Sequence, residues 1–207
     1  MRKIKLQMQL SLDGFVCGPN GEMDWMVWEW DAAVKKYVID LTNSADTFLL
    51  GRATGEGMAV YWPTVASNPE SKEEDKWMAN KLNHLPKVIF SRSITSINWT
   101  NVRIANDIVE EVKELKNEPG KDILIYGGAG IVASFIKENL IDEYHLFINP
   151  VIIGKGKTIF SNVHENMNLK LVKATPSTTG IVILHYEPVK ENAINSLHKN
   201  KEYETVS

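Results

Sequence analysis

The chain has 207 residues, 23 Lys and Arg against 26 Asp and Glu for a net charge of −3, with 43% apolar and 24% charged residues, the proportions of an ordinary globular protein. The slight acidity weighs against a nucleic-acid partner, which needs a Lys/Arg excess on one face, and no run approaches the ~18 apolar residues of a membrane span. The start, MRKIKLQMQLSLDG, lacks the apolar core of a signal peptide, so a cytoplasmic chain is expected.

At this length one domain is expected, here over residues 1–187, burying roughly 70% of the unfolded surface and leaving room for a small-molecule cleft. Ile4 to Leu10 reads as a strand, with Ile4, Leu6, Met8 and Leu10 at period two. Turn residues follow from Asp13-Gly14 to Pro19-Asn20-Gly21. Asp31 then precedes Val34, Tyr37, Val38 and Leu41, the i, i+3, i+4, i+7 stripe of a helix face. Thr47-Phe48-Leu49-Leu50 is a short buried strand ending at Gly51. Residues 52–76 are mixed, with a helix expected from about Ser71 to Leu82. Lys87 to Phe90 is strand, and Ile108, Val109, Val112 and Leu115 mark a helix that stops before Pro119-Gly120. Ile123 to Tyr126 is strand again, running into Gly127-Gly128-Ala129-Gly130 and a helix holding Ile131, Val132, Phe135 and Ile136.

After Asp142 the alternation ends. Tyr144–Ile153, Leu169–Ala174 and Ile181–Tyr186 are three strand-like runs without helices between them, and Thr178-Thr179-Gly180 suits a hairpin turn. The fold class that follows is α/β, a mostly parallel mixed sheet covered by helices and ending in antiparallel strands. Residues 188–207 are polar and aperiodic, and read as a tail or a short surface helix.

Three strand ends finish in small or basic residues: Gly51-Arg52-Ala53-Thr54, Ser91-Arg92-Ser93 and Gly127-Gly128-Ala129-Gly130. Ligands of open α/β sheets lie beyond the carboxyl ends of the strands. A helix that starts there offers unpaired N–H groups and the positive end of its dipole to a phosphate. Arg52 and Arg92 add planar donors, and Thr54 and Ser91 add hydroxyls. Gly128 to Ala133 fits GxGxxA, but Asp142 and Glu143 stand at the start of the next strand, where the ribose-binding acid of a Rossmann domain would stand at its end. Gly156-Lys157-Thr158 lacks the upstream glycine of a Walker loop, because that position is Val151. The single Cys17 excludes a disulfide framework, and His84, His145, His164, His185 and His198 show no zinc spacing, so metal is set aside.

The first loop carries Asp13, Asp24 and Asp31 interleaved with Trp25, Trp28 and Trp30. Reduction of a C=N or C=O bond needs hydride at carbon and a proton at the heteroatom. A carboxyl in a partly apolar pocket can anchor a nitrogen heterocycle and assist that proton, and a Trp face can cover the ring. Asp31 equally suits an N-cap, Asp13-Gly14 equally suits a turn, and the tryptophans equally suit core or lid.

Ser11-Leu12-Asp13-Gly14-Phe15, Gly51 to Glu56, Val88 to Arg92, Ile125 to Ala129, Asp142 to Leu146, Pro150 to Gly156 and Phe160 occur in that order. Together they resemble the dihydrofolate-reductase-like family, in the branch typified by the reductase domain of the riboflavin-biosynthesis deaminase-reductase. The likeness spans about residues 2–187. It implies a three-layer α/β/α fold with NADPH across the strand ends. By position, Gly51, Arg52 and Thr54 would meet its phosphates, Ser91 and Arg92 the adenosine 2′-phosphate, and Gly127, Gly128, Ala129 and Ile131 the diphosphate. Asp24-Trp25 stands where dihydrofolate reductases carry Pro-Trp, on the substrate side, and Asp31 is the nearest match to their helix carboxylate. A homodimer through the C-terminal strands is also implied.

The function expected is NADPH-dependent reduction of a pteridine- or pyrimidine-like heterocycle or a related carbonyl or imine, with Asp13 or Asp31 assisting. A non-catalytic nucleotide-binding dimer and a dihydrofolate reductase proper are the alternatives.

Overall fold

A computed structural model describes residues 1–189, so the tail expected over 188–207 lies outside the described residues from 190 onward. β1 (Ile4–Leu10) leads through a long loop to α1 (Ala32–Asn43), β2 (Ala45–Gly51), α2 (Arg52–Ser67), α3 (Glu73–His84), β3 (Lys87–Phe90) and β4 (Val102–Ala105). α4 (Ile108–Asn117), β5 (Asp122–Gly127), α5 (Ala129–Lys137), β6 (Glu143–Ile148), β7 (Leu169–Pro176) and β8 (Val182–Pro188) follow.

The strands form an eight-stranded sheet in the order β4-β3-β2-β5-β1-β6-β8-β7. The six strands from β4 to β6 are parallel to their neighbours, and β8 and β7 close the sheet antiparallel. Alternation along the strands feeds two cores. Ile4, Leu6, Ile123, Ile125 and Leu49 pack against Val112 and Leu115 of α4 and Val132, Phe135 and Ile136 of α5. Phe48, Leu50, Leu124 and Ile89 pack on the other face, against Val34, Val38 and Leu41 of α1 and Met78 and Leu82 of α3. Each side chain so buried stabilises the fold by about 1.5–3 kcal/mol. This is the three-layer arrangement expected.

Three segments differ from the sequence reading. Residues 52–67, expected to be mixed, are helix α2 despite Pro63 and two glycines. Packing outweighs propensity here: a Cβ on Gly55 would stand 2.6 Å from Ile89 Cδ1, so the glycine lets α2 lie close against β3. β4 was not expected at all; it is four residues long and gains its place only by pairing with β3, Lys87 to Phe90 against Val102 to Ala105. The run Tyr144–Ile153 is strand only as far as Ile148. Pro150 has no N–H for the ladder, and the chain turns away there.

Candidate active site

The parallel register places the carboxyl ends of β3, β2, β5 and β1 side by side along one edge of the sheet. Gly51 pairs with Phe90, and Leu50 with Gly127. Two helices open at this edge, α2 after Gly51 and α5 after Gly128, and neither N-cap residue supplies a side-chain hydrogen bond. Their first N–H groups are left for a ligand, and both helix dipoles direct their positive ends there.

The two openings touch. A Cβ on Gly128 would stand 3.2 Å from the Cα and 3.3 Å from the N of Gly51, and one on Gly51 would stand 3.0 Å from Ile131 Cγ2. Gly128 also has φ +99°, which a residue bearing a Cβ rarely adopts. Thr54 closes the cradle, its Cγ2 being 3.4 Å from a Cβ position on Gly127. Gly51, Thr54, Gly127, Gly128, Ala129 and Ile131, read from two distant segments, therefore lie together.

One strand further out, Ser91 and Arg92 line a groove of about 480 Å³ at the ends of β3 and β4, with Asp107 and with Glu110, Glu111 and Glu114 of α4 on its other side. Ser91 Oγ accepts from the amides of Ser93 and Ile94 at 3.1 and 3.2 Å, which fixes the turn carrying Arg92. The Arg92 side chain is exposed and pairs with no acid among the described residues. Arg52, in contrast, is held by Glu56 one turn along α2 at 3.0 Å. A second cleft, lined by Arg2, Asp46, Lys87 and Arg103, lies at the opposite ends of the strands. Its cations are already engaged, Arg2 by Asp46, Arg103 by Glu111 and Lys87 by backbone carbonyls.

Beyond β1, the following loop folds over the end of β6. Asp13 is exposed and accepts from the amides of Gly154 at 2.8 Å and Ile153 at 3.3 Å. The Ser11 hydroxyl and these amides hold its carboxyl below the usual range. Asp24 is exposed; Trp25 is half-buried, with its indole Nε1 buried and unpartnered. Trp30 lies nearly parallel to Phe147 at 6.5 Å, and Trp28 is 60% exposed beside it.

Asp31 caps α1 through Val34 N at 2.9 Å. Its other oxygen takes the Ser177 hydroxyl and both the amide and the hydroxyl of Thr178, each at 2.8 Å. Four donors hold this carboxyl far below its ordinary value, that of Val34 first.

The residue that fixes the tryptophan loop is Asn149, which the sequence reading missed. It is fully buried. Its Oδ1 accepts from Val27 N at 2.9 Å, and its amide donates to Gln9 Oε1 at 2.7 Å and to the carbonyls of Phe147 and Leu10 at 3.2 and 3.3 Å. One side chain thus ties the tryptophan loop to β1 and β6. A polar residue before a proline inside an apolar run was the available signal.

The model of the RibD C-terminal domain matches residues 2–183. The chain belongs to the RibD C-terminal domain family. It is 37% identical over 185 residues to the uncharacterized protein YyaP of Bacillus subtilis, covering 89% of this chain and 94% of that one. Among solved structures it is similar to a diaminohydroxyphosphoribosylaminopyrimidine deaminase/5-amino-6-(5-phosphoribosylamino)uracil reductase of Thermotoga maritima. That match has a TM-score of 0.62 and 18% identity, over 91% of this chain and 57% of that one. A dihydrofolate reductase of Enterococcus faecalis complexed with NADP(H) aligns with a TM-score of 0.59 and 14% identity, over 91% and 97%. At these identities the structural likeness shows the fold: a RibD C-terminal domain with dihydrofolate-reductase-like architecture. Among the described residues, no helix is long and apolar enough to cross a membrane.

Proposed function

We propose that this RibD C-terminal domain is an NADPH-dependent reductase of a small nitrogen heterocycle, pteridine- or pyrimidine-like, or of a related planar carbonyl or imine. The observation that carries the reading is the pair of helix openings without side-chain caps, α2 and α5, meeting at Gly51 and Gly128. The contact is tighter than a Cβ is comfortable with and presents backbone N–H groups to an anion from both sides, which fits a diphosphate. Gly51, Thr54, Gly127, Gly128, Ala129 and Ile131 would hold it, with Arg52 at the rim. Ser91 and Arg92 would take the adenosine 2′-phosphate in the neighbouring groove. When bound, the coenzyme supplies the hydride.

The chain's own part is to place the acceptor ring and exclude water. Trp28 packs on Trp30 and Trp30 on Phe147 of β6, and with Asp24 and Trp25 of the same loop they would cover the ring. Asp13, whose carboxyl stays ionised at neutral pH, accepts a hydrogen bond from a ring N–H, and the proton needed at the heteroatom comes from water. Asp31 acts through position, since its four hydrogen bonds go to α1 and the β7–β8 turn. That occupancy removes the helix carboxylate a dihydrofolate reductase proper would use. It also supports the second reading, nucleotide binding without turnover. Two copies would pair through β7, whose Leu171 and Val172 are 49% and 46% exposed.

Thermal unfolding with and without NADPH tests the cofactor: a hundredfold excess over Kd stabilises by about 2.7 kcal/mol. An unchanged Tm at millimolar NADPH sinks both readings. NADPH oxidation across a panel of oxidised pteridines, pyrimidines and imines then separates reductase from non-catalytic binder, with dihydrofolate as one arm. An Asp13→Asn variant that binds NADPH and turns over as wild type removes Asp13 from the reaction.

A further inference from the structure

Far from the cradle, the ladder gathers three groups that no sequence spacing announces. Glu143 and His145 are two apart on β6 and share a face, and His185 of β8 is the direct partner of His145. One ligand atom from each lies within 4.8 Å of the others. Glu143 Oε2 stands 3.2 Å from His145 Nε2 and 3.6 Å from His185 Nε2. Bonds of about 2.0–2.1 Å at tetrahedral angles set neighbouring donor atoms about 3.3 Å apart, so these separations suit a zinc-sized ion. The geometry points to a site for zinc, or a similar borderline divalent cation, made by Glu143, His145 and His185 with water in the fourth position.

Three further observations support the assignment. Tyr37 Oη of α1 is 2.7 Å from His145 Nδ1. With the imidazole in its Nδ1–H tautomer, that hydroxyl would accept the hydrogen bond and leave the Nε2 lone pair for an ion, as an outer-shell partner of a metal-bound histidine does. His185 Nε2 is buried with no hydrogen-bond partner. One proton can link His145 to Glu143, but it leaves His185 unsatisfied, whereas one cation serves all three. The surrounding charge also permits it. Lys3 and Lys5 approach Glu143 at 2.6 and 3.7 Å, and Asp122 and Glu187 engage those same lysines at 2.8 and 3.4 Å, so three carboxylates face two ammonium groups. The imidazoles stack with centroids 4.2 Å apart and planes 24° apart. Their lone pairs therefore run side by side, and loading turns the His185 ring, the more exposed of the two.

The ion would pin the C-terminal hairpin to β6 beneath α1. Glu143 lies at the start of β6, six residues and roughly 20 Å along the chain before Asn149, and the role assigned to the ion is to hold the sheet together.

The test uses the full chain, stripped with chelator and titrated with Zn²⁺ by calorimetry and with Co²⁺ by visible absorption. Expected are one equivalent bound with a Kd of about 1 μM or tighter, the d–d band of four-coordinate Co²⁺, and a raised Tm that chelator reverses. His185→Ala and Glu143→Gln, checked for folding by circular dichroism, bind at least about tenfold more weakly, and His198→Ala binds as wild type. Absence of saturable binding at about 1 mM Zn²⁺ overturns the site. So does undiminished binding by folded His185→Ala, or binding that disappears with His198.

Discussion

Gly128 concentrates two constraints in one residue. Its φ of +99° disfavours any side chain, and the Gly51 backbone crowds the position a Cβ would take. Gly128→Ala is expected to lower stability by about 1–3 kcal/mol and to abolish the Tm shift with NADPH; a shift retained in full would remove this contact from the phosphate cradle. Arg92 carries a narrower role. Arg92→Ala leaves the fold unchanged and narrows the difference in Kd between NADPH and NADH, read by titration with each. Asn149→Ala is expected to destabilise by about 2–4 kcal/mol, because several buried partners lose their hydrogen bonds together. Its loop tryptophans become more accessible to acrylamide while NADPH binding is unchanged.

At the scale of elements, helix ends decide what the site can do. α2 and α5 leave their N-termini open, whereas α1 and α4 are capped by Asp31 and Asp107. The bond from Asp31 to the β7–β8 turn also joins two parts of the chain far apart in sequence. Its carboxyl titrates lower in the folded than in the unfolded chain, so the contribution is complete above its ordinary value of 3.8 and is lost as pH falls below it. Acid titration of Tm should show this dependence in wild type and a flatter one in Asp31→Asn. The other end of a helix is closed unusually at α3, where Lys87, 1% exposed, donates to the carbonyls of Leu82, Asn83 and Leu85 and lies over Trp99. Lys87→Met keeps the apolar stem and strands those carbonyls, at an expected loss of about 1–3 kcal/mol in denaturant unfolding.

For the whole molecule, the sheet has two unlike parts. The parallel part carries the strand ends that form the candidate site, the Glu143–His145–His185 cluster straddles the seam between β6 and β8, and the antiparallel part ends in the edge strand β7. An edge with exposed apolar side chains is a template for pairing with a second copy. If two chains join there, Leu171→Lys shifts sedimentation toward the monomer while leaving NADPH binding intact; an unchanged sedimentation coefficient places any dimer elsewhere.

The elements with strong periodicity were legible from residues alone. β1, α1 and α4 each carry a repeating apolar face, and local sequence is enough to specify such a face. Gly51 and Gly128 were legible as turn residues, because the backbone need that selects glycine is local. That they touch was not, since it depends on β5 inserting between β1 and β2. Nor could the sequence fix α2, which packs on α3 as well as on β2 and β3, or β4, which gains its place by pairing with β3, or choose between capping and chemistry for Asp31. Asn149 and the His145–His185 pair were hidden for the same reason. Composition and period govern which face a residue turns toward the sheet; which distant residue it meets there is set by strand order and register, and those exist only once the chain has folded.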